Sequence, residues 1–200
     1  EIINIFLRNI AFVIIISLLL VILQTYIYNI SLSIFELSQE TKLYFKDYFT
    51  YRIYSSFGEL TIFVITGLFI GLQKTKTSSL IVGFYSIANI ILSLIFVLYF
   101  NLNVLGVALG TLVASTLTTI IFLFYSFYDL SKMKKLEFNT KKIFNLSKVK
   151  NIFNINLNIF IRSILLSFSF LYFTYLGTSI SEETVAANAI LLNLIMISSY

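Results

Sequence analysis

Seven polar side chains interrupt stretches that are otherwise apolar: Glu59, Asn89, Ser93, Thr111, Arg162, Asn188 and Asn193. Inside a bilayer such groups are costly, so each is expected to be paired, to face a cavity or to carry function. Asn89 and Ser93 are four residues apart, which puts them on one helical face. Ser93 lies about nine residues before the uncharged link Asn101 to Asn103 and Thr111 about nine beyond it, so antiparallel helices would bring all three to a similar depth. Carbonyl and hydroxyl oxygens converging at one depth can hold a hard cation or relay a proton. They can equally tie two helices together, at about 0.6 to 2 kcal/mol per contact. Glu59 has three readings: a proton-linked group, a partner for Arg52 seven residues earlier, or a side chain snorkelling to the interface. For Arg162 the expected role is structural, reaching phosphates or helix carbonyls.

Much other chemistry is excluded. The 200 residues contain no histidine and no cysteine, which removes thiolate metal sites, Ser-His-Asp triads, disulfides and thiol redox motifs. No paired carboxylates stand at a membrane face, so an integral membrane enzyme has no machinery. Hydrophobic residues make up 58% and charged residues 12%, against about a quarter charged in soluble domains. Together with a mean hydropathy of +0.94, this places the chain in a lipid bilayer as an all-α integral membrane protein, a polytopic helical bundle.

The elements that must position these side chains follow from hydropathy. Apolar spans are expected over residues 10–35, 53–73, 78–100, 104–127 and 157–176, with a sixth starting near Val185. Residues 36–51 read as an interfacial connector. In the Lys-rich segment 128–156, Ile143, Leu146, Val149, Ile152 and Phe153 recur at helical spacing, predicting an amphipathic helix on the membrane surface. Gly67 and Gly71, and Gly106 and Gly110, are small-xxx-small pairs that permit close helix contact. The first residue is Glu1, and the last apolar run is still open at Tyr200, so a piece of a longer protein is expected. The first span lacks the charged flank and cleavage site of a signal peptide.

Lysine and arginine set the orientation. With the Lys-rich segment cytoplasmic, ten basic residues lie on that side (Arg8, Lys74, Lys76 and the seven lysines of the segment), three on the other (Lys42, Lys46 and Arg52), and Arg162 falls inside a span. The net charge of +5 is then topological, and nucleic acid is not an expected partner.

The run Tyr51-Arg52, GLFIGLQKTKTSSL from Gly67 and IANIILSLIFVLYFNLNVLGVALGTLVAS from Ile87 resembles the fourth to sixth helices of the multidrug and toxic compound extrusion (MATE) family. IRSILLSFSF from Ile161 and VAANAILLNLIMISSY from Val185 resemble the seventh helix and the start of the eighth, nearest the DNA-damage-inducible protein F-like subgroup. The resemblance implies a fragment covering about helices 3 to 8 of a twelve-helix, two-lobe transporter. Residues 1–127 would be four helices of the N-terminal lobe, 128–156 the cytoplasmic inter-lobe linker, and 157–200 the first helices of the C-terminal lobe.

It further implies a coupling-cation site in the N-terminal lobe. Asn89 takes the place of the family asparagine and Thr111 that of its threonine, while Ser93 stands where an aspartate is expected and so removes a carboxylate. The family proline after the fourth-helix arginine is replaced by Phe57, which is expected to weaken a kink there. The implied activity is secondary active efflux: a multi-pass antiporter of the bacterial inner membrane exporting small organic, cationic or amphipathic compounds in exchange for Na⁺ or H⁺. Its partners would be the substrate, the lipid bilayer and the remainder of the same chain, and no cofactor is required beyond the coupling ion. The alternatives are a lipid-linked oligosaccharide flippase of the same superfamily, or an inactive remnant or structural membrane subunit.

Overall fold

A computed structural model describes residues 2–34, 39–133 and 146–178, with positions 187, 188, 190–192 and 194. Every element among the described residues is helical: α1 (Ile2–Ile22), α2 (Gln24–Ile34), α3 (Gln39–Tyr54), α4 (Ser56–Gly71), α5 (Thr75–Leu94) with a π-helical turn at Ile95–Tyr99, α6 (Asn103–Met133) and α7 (Leu146–Thr178). The absence of proline from the sequence removes the strongest helix breaker. The chain forms two compact units, Glu1–Ile143 and Phe144–Tyr200.

Three helices are long and apolar enough to cross a membrane among the described residues: Ile2–Ile22, Thr75–Tyr99 and Asn103–Lys132. Lys42–Tyr54 with Ser56–Gly71 makes a fourth if its 43° bend is counted within one span. Two hydropathy boundaries move. The first crossing helix begins at Ile2 rather than residue 10, and the polar residues Gln24, Thr25, Asn29 and Ser31 fall in the separate helix α2. The connector 36–51 is largely helical, forming most of α3.

The first unit packs around α6, against which α3, α4 and α5 all lie, with α1 packed mainly on α4. Its core joins Ile3 and Phe6 of α1 to Ile62, Ile65 and Phe69 of α4, Ile81 of α5, and Phe122 and Leu130 of α6. Aromatic edges fasten it, Phe6 meeting Phe127 at 5.8 Å and Phe84 meeting Phe122 at 5.7 Å between ring centres.

Turn chemistry sets the helix order. At the end of α4 the Lys74 amide donates to the Phe69 carbonyl at 2.8 Å and the Gln73 amide to Ile70 at 2.9 Å, with Gln73 at φ 58°. This is the paired bonding of a Schellman stop, with glutamine in the left-handed position that glycine usually takes. Across the next turn, Asn101 and Asn103 adopt φ 53° and 47°, and asparagine tolerates that region better than most residues. The expected tight link between antiparallel neighbours is therefore present, and α5 packs along α6.

In the second unit α7 is one helix of 33 residues. It joins the end of the sequence-predicted surface helix to the predicted fifth span without a break. Its apolar stretch Leu157–Phe170 is shorter than a full crossing. The part of the surface helix before residue 146 lies outside the described residues.

Candidate functional site

The α3–α4 bend and the α5–α6 pair build one polar row in an apolar bundle. It starts at Ser55, the fully buried residue between α3 and α4. The Ser55 hydroxyl donates back to the Arg52 carbonyl at 2.7 Å and receives the Arg52 guanidinium at 2.5 Å. Serine bonding back into its own helix is a known cause of bending. A 43° bend is thus present here without the proline.

Arg52 also reaches across the bend to Glu59, with which it forms an ion pair. Of the three readings of Glu59, pairing with Arg52 is the one realised in this conformation. The Tyr85 hydroxyl of α5 donates to the same Glu59 oxygen at 2.8 Å. One turn further along α5, Asn89 stands on the same helical face as Tyr85, and its amide nitrogen donates to the Thr111 hydroxyl of α6 at 3.3 Å. Ser93 donates to the Asn89 carbonyl oxygen at 3.1 Å, and Thr111 to the backbone carbonyl of Val107 at 3.0 Å. Asn89, Ser93 and Thr111 are therefore brought together, and Glu59 is tied to α5 by Tyr85, one turn before Asn89.

Close backbone approach places these groups. A Cβ added to Gly110 of α6 would sit 2.7 Å from the Ser93 Cα and backbone nitrogen, and one on Gly106 2.9 Å from the Phe96 carbonyl carbon. The π-helical turn after Ser93 widens the helix against this glycine face. On the α4 side, Gly58 lies against Ser115, and the Thr119 hydroxyl donates to the Gly58 carbonyl at 2.9 Å. The other glycine pair behaves differently. Nothing approaches within 4 Å of a Cβ on Gly67 or Gly71, and both border an apolar cleft of about 460 Å³ between α1 and α4.

Three neutral oxygens whose hydrogen bonds are already mutually satisfied make an incomplete shell for a cation, which prefers several oxygens with compensating charge. No cluster of three or more acidic, histidine or cysteine residues occurs among the described residues. The arrangement suits hydrogen-bond rearrangement better than direct ligation by these three alone.

The remaining candidates lie elsewhere. Arg162 is exposed on α7, Asn188 is half-buried in a helical stretch, and Asn193 lies outside the described residues. Sequence reasoning passed over Tyr85, although Tyr85, Asn89 and Ser93 form a polar row at four-residue spacing. It also counted Arg8 as a flanking charge, whereas the side chain is 3% exposed within α1. At the opposite end of the bundle, the Lys74 ammonium binds both Asp129 oxygens, at 2.7 and 2.6 Å. This places the α4–α5 turn and the end of α6 on one side of the bundle, as the lysine distribution requires.

The chain is similar to the DNA damage-inducible protein F of Escherichia coli (strain K12), a MATE family transporter, with 26% identity over 182 residues. The resemblance to that family stands. The match covers 91% of this chain and 39% of the relative, so the chain spans about two-fifths of the length of the curated protein it matches. No family model matches the chain, and no solved structure matches it.

Proposed function

We propose that the chain is part of a MATE-type secondary transporter that exports small organic, cationic or amphipathic compounds from the bacterial cytoplasm in exchange for Na⁺ or H⁺. The similarity to DNA damage-inducible protein F over nearly the whole chain carries this reading. The hydrogen-bonded convergence of Asn89, Ser93 and Thr111 between α5 and α6 supports this reading, as a network able to rearrange with the coupling ion. Transport would proceed by one helix bundle rocking against the other around a central cavity. Tyrosine and phenylalanine, at 13 and 21 residues, suit flat or cationic substrates by stacking and cation–π contact.

The test is dye efflux from cells expressing the full-length protein, with and without a Na⁺ or pH gradient. Gradient-dependent efflux above empty vector is expected, with loss in Asn89→Ala and Thr111→Ala. Retention of dye equal to empty vector refutes export, and wild-type efflux in both variants refutes the site.

A further inference from the structure

We propose that Glu59 is the proton-binding group of this transporter, with Arg52 as its counter-ion and Tyr85 as the link that carries its protonation state to Asn89, Ser93 and Thr111. The inference rests on the transporter reading and deepens it by naming the coupling ion and its acceptor. Helices α1, α4, α5 and α6 contain two carboxylates, Glu59 and Asp129. Asp129 is held by Lys74 at the end of the bundle. Glu59 is the carboxylate placed within the polar row, paired with Arg52 and with its side chain 21% exposed.

Its neighbours are specific. The helices packed on α4 supply Arg52 and Tyr48 from α3 and Tyr85 from α5, and neutral Ser115 and Thr119 of α6 lie beside Gly58. From α1 the charged residue is Arg8. Arg52 and Glu59 stand on opposite sides of the Ser55 break, so their attraction bridges the 43° bend.

The step balances simply. A proton from water binds one carboxylate oxygen, an O–H bond forms, and the ion pair with Arg52 loses its negative member. The new Glu59 O–H donates to the Tyr85 oxygen, reversing a bond in which Tyr85 is now the donor. The Tyr85 hydroxyl then turns its proton away from Glu59 toward the face of α5 that carries Asn89 and Ser93, where it disturbs the bond between them. One protonation thereby loosens the α3–α4 bend and resets the α5–α6 contact, and deprotonation on the other side of the membrane reverses both.

Two measurements on the full-length protein test this. Infrared difference spectra between high and low pH in nanodiscs are expected to show a protonated-carboxyl band that is missing in Glu59→Gln. In proteoliposomes, ethidium accumulation driven by a pH gradient is expected to be lost in Glu59→Gln and kept in Glu59→Asp. Tyr85→Phe is expected to keep the infrared band and slow the driven transport. If the wild-type spectrum contains no band sensitive to Glu59→Gln, the proton site is refuted whether or not the protein transports. If the band is present and Glu59→Gln still accumulates ethidium, the coupling role is refuted. Absence of all ethidium transport by the wild type would overturn the exporter reading together with the coupling role, while the infrared result still decides whether Glu59 binds the proton.

Discussion

Two glycine pairs with the same spacing should respond oppositely to one added methyl group. In Gly110→Ala the new Cβ would stand 2.7 Å from backbone atoms of Ser93, where carbon atoms normally rest at about 3.5 to 4.0 Å. Either α6 retreats from α5 by about 1 Å or the π-helical turn re-forms. Overpacking of this kind costs about 1 to 3 kcal/mol. In Gly67→Ala the methyl enters open space, leaving only the helix-propensity gain of alanine over glycine, about 1 kcal/mol. That gain applies to both substitutions and cancels in the comparison, so Gly110→Ala should be the less stable by about 1 to 3 kcal/mol. Reversible unfolding of the purified protein in mixed micelles reads this difference. The same retreat would stretch the 3.3 Å Asn89–Thr111 contact past hydrogen-bonding range, so efflux should fall in Gly110→Ala and persist in Gly67→Ala. Equal stability of the two variants would refute the packing argument.

Thr119→Val keeps the side-chain shape but removes the donor to the Gly58 carbonyl, and should lower stability in the same assay by about 0.6 kcal/mol and no more than about 1.7. A double-mutant cycle of Lys74→Gln and Asp129→Asn should give a coupling of about 0.2 to 1 kcal/mol that shrinks with added salt, because the lysine side chain is 38% exposed. A coupling near zero at low salt would mean that the α4–α5 turn and the end of α6 are not held together as described.

What could be read from the sequence was what hydropathy and spacing encode. Apolar runs located the crossing helices α5 and α6, and the uncharged Asn101–Asn103 link made them antiparallel neighbours. The four-residue step from Asn89 to Ser93, with the equal count to Thr111, brought three groups to one depth, and the hydrogen bonds among them follow from it. Boundaries were harder to read at α1 and α3. Arg8 marks a helix flank by the usual charge rule, yet the apolar residues before it extend α1 around it and its side chain is buried. Charges in α3 hid a helix, because polar residues do not prevent helix formation when the rest of the chain packs on it.

The two glycine pairs and the bend mark a deeper limit. Gly67-xxx-Gly71 and Gly106-xxx-Gly110 are alike as patterns, and only the position of a neighbouring backbone separates a cleft from a contact. The missing proline was likewise a poor guide to the bend, since Ser55 and the Arg52–Glu59 pair achieve by hydrogen bonding what a ring would achieve by removing an amide. That difference has a functional edge. A proline kink is covalent and permanent, whereas a kink bridged by an ion pair depends on the charge of Glu59 and can be switched by one proton. Ser93 and Glu59 then belong to one account: the residue that the resemblance would place at the family carboxylate is neutral, and a carboxylate stands instead at the bend, bonded to Tyr85 one turn before Asn89 on α5.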